Sequence, residues 1–195
     1  MRWIGGCIAG VLWVILYVLA MNNEFGIAPG ITTKDHQLYV EFAQHMQQKK
    51  GYTTEDGFLA FHELPPGYSV TLLWSGSWLA MGFFFGLKLL NIIWVLLFLV
   101  MFFLWLRERG INQPGWITVL VAVCPITLFF VVNIQSEIFY LFCAMTVIFI
   151  FDTQYRKFSD HTWFFGLTMV LASIMAWLTR GIGAVVIAMV AFAFI

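Results

Sequence analysis

The sequence predicts an all-α protein: a polytopic transmembrane helical bundle with one long polar loop. Hydrophobic residues make up 62% of the 195 residues and charged residues only 10%, whereas a soluble domain averages about a quarter charged residues. The apolar residues form runs of roughly 17–20, which is the length that a helix needs to cross a membrane. The polar residues are concentrated in residues 22–66, which we expect to form an extracytoplasmic loop.

This loop is the candidate site, because chemistry needs polar side chains in contact with water. It holds six of the ten carboxylates and three of the four histidines. Two clusters stand out, one running from Asp35 to Tyr39 and one in which His62 and Glu63 precede two prolines. The net charge is zero, so the sequence lacks the basic surface that nucleic-acid binding requires.

Residues 3–21 form the first apolar run and follow a single Arg2. The run is long enough to span a membrane. The triplet at 18–20 resembles the cleavage site of a secretory signal, but the apolar core exceeds the usual 7–15 residues of such signals. We therefore expect a retained helix with its N-terminus in the cytoplasm.

Within the loop, residues 33–50 are predicted to form an amphipathic helix that lies on the membrane surface. Four apolar side chains recur at helical spacing and share one face, and glutamines occupy the opposite face. Gly51 follows two lysines and predicts the end of the helix. The four apolar residues are Leu38, Tyr39, Phe42 and Met46.

The positive-inside rule decides how residues 67–195 cross the membrane. If only 87–106 spans between the loop and residue 107, the basic clusters at 107–109 and 156–157 both fall in the cytoplasm. Residues 67–86 are then a juxtamembrane or re-entrant helix on the side of the loop. Residues 87–195 supply the further transmembrane helices, over 87–106, 116–132, 134–151 and 163–178.

We expect residues 1–195 to form one transmembrane domain and to be the N-terminal part of a longer protein. The run 181–195 is apolar to its last residue, and at 15 residues it is shorter than the roughly 20 that span a membrane. The three cysteines all lie in apolar runs, which predicts small buried hydrophobic residues and no disulfide framework.

Glu137 and Arg180 are ionisable residues at the outer ends of predicted spans. In one interpretation both reach interfacial water, because charge is tolerated there better than at the bilayer centre. In the other, both point into one outward-facing cavity. Arg180 then grips a phosphate through two N–H groups, and Glu137 orients the guanidinium or a substrate hydroxyl.

Asp35 also has two interpretations. An acidic residue in the first turn of a helix is favoured by capping and by the helix dipole. Alternatively, Asp35 is a general base that removes a proton from an acceptor hydroxyl. A metal site built from His36, His45, His62 and Glu63 is disfavoured, because His36 and His45 lie on different sides of the helix, and no metal or cofactor is expected.

No hydrolase elbow and no phosphate-binding or dinucleotide loop occurs in the sequence. The acidic residue followed by Tyr39, and the Pro-Pro segment after His62 and Glu63, resemble the outer loop of the GT-C glycosyltransferases. These include protein O-mannosyltransferases and the aminoarabinose transferases that act on lipid A. Glu137 and Arg180 match outer turns of that family in order and topology, and His36 stands where many members have a second carboxylate.

The resemblance implies a membrane glycosyltransferase that moves a sugar, with inversion, from a polyprenyl-phosphate donor to a lipid, glycan or protein acceptor. It implies that Asp35 is the base, and that Tyr39, His62 and Glu63 are contacts to the substrates. We infer that Arg180 and Glu137 contact the donor from their charge and position. The setting is an integral multi-pass protein of a bacterial inner membrane, with the site facing outward.

Two other classes fit the sequence. One is a non-catalytic polytopic scaffold or lipid-binding protein that uses the loop as a docking surface. The other is a fragment of a transporter, although transporters place ionisable residues near the bilayer midplane, and here these residues lie at the ends of spans.

The topology can be tested by labelling single cysteines from each side of the membrane. Positions Gly57 and Gln135 should react with an impermeant reagent from outside, and Gly110 and Gln154 only from inside. Labelling of Gly110 from outside would contradict the single span between residues 67 and 106.

Overall fold

The computed structural model describes residues 34–53, 65–78, 83–132, 136–157 and 162–193. These residues are helical, and no β-strand occurs among them, so the predicted all-α class is confirmed. The described helices are α1 Lys34–Gln47, α2 Gly67–Trp78, α3 Phe83–Glu108, α4 Pro114–Ala122, α5 Pro125–Val132, α6 Ser136–Lys157, α7 Thr162–Thr179 and α8 Ala184–Ala193, with a 3₁₀ turn at Gly181–Gly183 between the last two.

Helices α3 and α6 run side by side in the same direction. Trp94 of α3 packs on the ring of Phe139, with ring centroids 4.6 Å apart, near the start of α6. Eleven residues further along α3, the Trp105 indole Nε1 donates a hydrogen bond of 3.1 Å to Asp152 Oδ2 near the end of α6. Because the second contact lies further along the chain in both helices, α3 and α6 run in the same direction.

Helices α4, α5 and α7 run the opposite way. Arg180, directly after α7, pairs with Glu137 in the first turn of α6, so the end of one helix meets the start of the other. The carbonyl of Phe130 in α5 accepts a hydrogen bond from Asn91 in the first part of α3. The long helices therefore alternate in direction. We call the end that holds Glu137 the Arg180 end, and the opposite end the Asp152 end.

The predicted span 116–132 is broken in the middle. The structure has two short helices, α4 and α5, that meet at Cys124. Pro125 follows the break; it has no N–H to continue the helical hydrogen-bond ladder, and its ring clashes with the preceding turn. The Cys124 N–H instead donates at 3.3 Å to the carbonyl three residues earlier, that of Val121, as in a 3₁₀ turn.

Two helices end in the same hydrogen-bond pattern but with different residues. After α3, Gly110 has a φ of 69°, and the N–H of the next residue bonds back to the Leu106 carbonyl at 3.1 Å. After α1, Lys49 takes the corresponding position with a φ of 61°. A left-handed residue that closes a helix in this way is usually glycine, so Gly51 predicted the end of α1 two residues late.

The described helices are apolar both inside and outside the bundle. The stretches Leu90–Glu108 and Ser136–Thr153 are long and apolar enough to cross a membrane, and Trp163–Thr179 is a shorter apolar helix. Two clusters of buried hydrophobic residues fill the interior, with α1 and α2 packed on α6 and α7 in the larger one and α3 on α4 and α6 in the smaller.

Helix α2 is fixed at the Arg180 end by a close approach to α7. A Cβ added to Gly67 would lie 2.7 Å from the backbone carbonyl of Leu178, so only glycine fits at this contact. Helix α1 packs in turn on α2. At 12 residues, the described α2 is about 18 Å long, against the roughly 30 Å of a bilayer core.

Candidate functional site

Two charged residues that the sequence singled out are in direct contact. Arg180 Nη1 donates a hydrogen bond of 2.8 Å to Glu137 Oε1. Their side chains are 38% and 27% exposed, respectively, so the pair lies at the partly exposed edge of the Arg180 end. The two residues are 43 positions apart in the chain, and the antiparallel packing of α6 and α7 brings them together.

The guanidinium of Arg180 has more hydrogen-bond donors than its contacts with the described residues use. An arginine has five N–H donors in a rigid fork, and Glu137 accepts from one of them. No other described residue accepts from this side chain. A carboxylate on one side of the fork fixes its plane, and the remaining donors can contact an anion such as a phosphate oxygen.

The backbone around Arg180 is tightly packed. Its extended conformation, with a φ of −148°, ends α7, and the Gly183 N–H donates to the Arg180 carbonyl at 2.8 Å. A Cβ on Gly183 would overlap the backbone of Ala176 and Trp177 in the last turn of α7. The 3₁₀ turn therefore folds back on α7 and holds Arg180 in place.

A buried hydrogen-bond chain lies beside the ion pair. Tyr68 is 0% exposed, and its hydroxyl donates to Asn91 Oδ1 at 3.2 Å. The amide of Asn91 in turn donates to the Phe130 carbonyl, which lies in the last turn of α5, where helical carbonyls need partners from outside the helix. One polar side chain of α3 thus connects α2 with α5.

The phenol of Tyr68 also feels the charge of Glu137. Burial raises the pKa of Tyr68 well above its usual value, and the negative charge of Glu137, followed by electrostatic coupling to the Tyr39 phenol, raises it further. Tyr68 therefore stays protonated at any physiological pH. The neutral phenol keeps the O–H that it donates to Asn91.

A second set of polar contacts fixes α1 on α2. The Ser69 hydroxyl donates to the Tyr39 carbonyl at 3.3 Å, and the Tyr39 and Tyr68 rings meet edge to face with centroids 5.2 Å apart. Tyr52, just after α1, stacks on Phe42 at 4.2 Å and shares a hydrogen bond with Ser69. The segment that follows α1 is therefore tied back to α2.

The structure describes some of the predicted site residues and not others. Tyr39 is 3% exposed and belongs to the contact between α1 and α2. Asp35 lies in the first turn of α1, and its side chain is outside what the structure describes. His62 and Glu63 lie outside the described residues altogether. Helix α1 thus brings Asp35 to the same end of the bundle as Glu137 and Arg180.

No group of three metal-ligating side chains occurs in the described part of the chain. His45 is 8% exposed, and its Nδ1 has no hydrogen-bond partner among the described residues. Of the other histidines in the disfavoured metal set, His62 is not described, and only the backbone of His36 is.

Sequence reasoning missed the polar residues that connect α1, α2, α3 and α5. Asn91 could have indicated an interhelical contact, because it is a lone amide in the otherwise apolar run from 89 to 106. Buried polar side chains in such helices form hydrogen bonds to neighbouring helices. Tyr68 and Ser69 gave no comparable signal, because a tyrosine and a serine after a Pro-Pro-Gly segment fit any turn.

No protein-family model, curated protein or solved structure matches this chain.

Replacing Gly183 should disturb the turn that holds Arg180. Gly183→Ala forces a methyl group into the Ala176 backbone, and overpacking of this kind costs about 1–3 kcal/mol. The midpoint of thermal unfolding in detergent should therefore fall. Gly181→Ala is the matched control, because nothing lies within 4 Å of its added Cβ. Equal midpoints for the two variants would contradict the proposed close contact.

Alkaline pH should weaken the attachment of Tyr52. Burial is the main cause that raises its pKa from 10.0 to about 12. Because the folded-state pKa is the higher one, the stabilisation is complete below pH 10 and is lost as the pH rises through about 12. Relative to Tyr52→Phe, the wild type should lose free energy of unfolding over this window. Parallel pH curves for the two proteins would contradict the raised pKa.

Proposed function

We propose that the protein is a multi-pass membrane protein with α3, the α4–α5 pair, α6 and α7 crossing the bilayer and the Arg180 end facing outward. One face of α7 supports this placement. Its exposed side chains follow helical spacing, and all are large and apolar: Trp163, Leu167, Val170, Ile174 and Trp177, between 40% and 72% exposed. A soluble protein rarely exposes so long an apolar patch to water. In a membrane, the acyl chains of the lipids cover such a patch.

Tryptophans at both ends of this stripe mark the levels at which we place the two membrane interfaces. Trp163 and Trp177 are 14 residues apart, or about 21 Å along the helix axis. Trp116 lies at the Asp152 end and Trp74 near the Arg180 end, and they are 57% and 65% exposed. Exposed tryptophans at two levels are typical of the two interfaces of a bilayer. A bacterial inner membrane is the setting that we propose.

The chemistry that we propose is transfer of a sugar from a polyprenyl-phosphate donor to an acceptor hydroxyl. The observation that carries it is the Glu137–Arg180 pair at the same end of the bundle as α1, the helix that contains Asp35. The donors of Arg180 that Glu137 leaves unused bind the phosphate of the lipid-carried donor. Glu137 keeps the guanidinium plane fixed, which lowers the entropic cost of a bidentate contact.

In the reaction, Asp35 accepts the proton of the acceptor hydroxyl as a general base. The acceptor oxygen forms a bond to the anomeric carbon of the sugar, and the bond from that carbon to the phosphate oxygen breaks. Polyprenyl phosphate leaves with the electron pair and keeps its contact with Arg180. Attack from the face opposite to the phosphate inverts the anomeric configuration.

The roles of the other predicted residues follow from their positions. Tyr39 lies one turn after Asp35, so the two share a face of α1, and its buried ring holds this face against α2. We propose that His62 and Glu63 contact the substrates from the loop that precedes α2. The site as proposed uses no metal or cofactor.

The position of the charges favours this proposal over a transporter. Transporters bind ions and substrates near the midplane of the bilayer, whereas Glu137 and Arg180 lie in the first turn of α6 and directly after α7. A non-catalytic lipid-binding scaffold uses the same Arg180 contact but does not need Asp35. The two proposals therefore differ in whether transfer depends on Asp35.

The test compares Asp35→Asn and Arg180→Lys in membranes that contain the protein and a polyprenyl-phosphate sugar. Asp35→Asn keeps the size of the side chain but removes the base, which is worth about 10²–10⁴ in rate, so transfer should fall at least about a hundredfold while donor binding stays. Arg180→Lys should weaken donor binding, because a point charge does not replace a planar fork. Lys50→Gln, an exposed change on the turn after α1, is the control.

Each alternative outcome has a definite meaning. Near-normal transfer by Asp35→Asn would remove this residue from the site. Normal donor binding by wild type without transfer would favour the lipid-binding scaffold. Unchanged donor binding by Arg180→Lys would leave the Glu137–Arg180 pair as a link between two helices only.

A further inference from the structure

A second surface runs along the outer face of α3 and ends at the Asp152 end of the bundle. Three apolar residues of this helix are exposed at helical spacing: Ile93 by 41%, Leu97 by 38% and Val100 by 53%. The same face continues through the partly buried Leu104 to Arg107, whose side chain is 61% exposed. An apolar stripe therefore ends in a guanidinium group.

The two arginines after this stripe have different roles. Arg109 pairs with Asp152 of α6 at 2.5 Å, and its guanidinium lies over the Trp105 ring, 5.8 Å from the centroid. Trp105 itself donates to Asp152. These contacts face α6 and hold the ends of the parallel helices α3 and α6 together.

Arg107 points away from this clamp. Successive residues of a helix are rotated by about 100°, so a residue two positions after Trp105 faces nearly the opposite side. The recorded ion pair of Arg107 is a loose one of 3.9 Å to its neighbour Glu108. Ion pairs this exposed contribute little, which leaves the Arg107 guanidinium available to an anion at the surface.

We infer that the outer face of α3 binds an anionic phospholipid, with the headgroup phosphate on Arg107 and an acyl chain along the stripe above it. The dimensions fit one leaflet. Val100 and Ile93 lie 7 and 14 residues before Arg107, or about 10 and 21 Å along the axis. Half of a bilayer core is about 15 Å, so a chain that starts at Arg107 ends between these two residues.

The charges at the Asp152 end favour a lipid with a net negative headgroup. Four of the ten basic residues of the chain lie at this end, namely Arg107, Arg109, Arg156 and Lys157. Two described carboxylates offset part of this charge: Asp152 pairs with Arg109, and Glu108 lies next to Arg107. Two positive charges remain in excess among these described residues. Each further basic residue near a membrane surface adds attraction to anionic lipids, whereas a zwitterionic headgroup gains much less.

This inference rests on the membrane placement proposed above and not on the transfer chemistry. The experiment measures retained lipids by native mass spectrometry of the detergent-purified protein. The probes are phosphatidylglycerol and phosphatidylcholine with identical acyl chains. Wild type should retain phosphatidylglycerol preferentially. Arg107→Gln should reduce this preference about fivefold, the effect of one basic residue near the surface, and leave phosphatidylcholine retention unchanged.

Three controls make the result specific. Arg107→Lys keeps the charge and should keep most of the preference. Lys50→Gln, at the opposite end, should retain lipids as wild type does. Added glycerol phosphate at millimolar concentration should not displace the bound lipid, because it lacks the acyl chain that the stripe covers.

The inference is overturned if wild type shows no preference between the two lipids, or if Arg107→Gln keeps the full preference. Displacement by glycerol phosphate would also overturn it, because the surface would then bind a free phosphate ester. Loss of transfer in Asp35→Asn bears on none of these outcomes, so the two proposals fail independently.

Discussion

The ion pair between Glu137 and Arg180 is the contact on which the Arg180 end of the bundle depends. It joins the start of α6 to the end of α7, and these two helices share the largest interface among the described elements. Removing either partner leaves the other charge at the edge of an apolar bundle, where water solvates it only in part. The close contacts of Gly67 and Gly183 with α7 are built around the same helix end.

The two ends of the parallel pair α3 and α6 are fixed by different chemistry. Near the Arg180 end, the neutral amide of Asn91 links α3 to α2 and α5. At the Asp152 end, a single carboxylate accepts from an indole and pairs with a guanidinium. Between the ends the contacts are aromatic and apolar, as with Trp94 on Phe139. Apolar packing alone tolerates sliding, so the contacts of Asp152 set the register of α3 against α6 at the Asp152 end. At the other end, Asn91 fixes α3 against α2 and α5.

The opposite charges of Glu137 and Arg180 suit a site that binds its anionic ligand for only part of the time. With Glu137 beside it, Arg180 is not left as an uncompensated cation when no anion is bound. The phenol of Tyr68 stays protonated because burial and the Glu137 charge raise its pKa, so it adds no charge near the pair and keeps its hydrogen bond to Asn91. The proposed phosphate then gains a preorganised donor fork and does not have to organise a mobile side chain.

The sequence alone determined the all-α class, because helical runs of apolar residues and the glycine and proline positions are local properties. Helix α1 fell within the predicted segment 33–50, and its end differed because Lys49 took the left-handed position that Gly51 was expected to fill. Pro125 also indicates a break from the sequence alone, but the apolar residues on both sides of it favoured the prediction of one continuous span. Asp35, His62 and Glu63 stay predictions from sequence.

Only the tertiary structure decided which polar residues meet. Glu137 and Arg180 are 43 residues apart, and Tyr68 and Asn91 are 23 apart, so their contacts depend on the directions of whole helices. The sequence marked Glu137 and Arg180 as unusual because charge in an apolar run is costly wherever it occurs. Their pairing required the antiparallel packing of α6 and α7, which no local preference encodes.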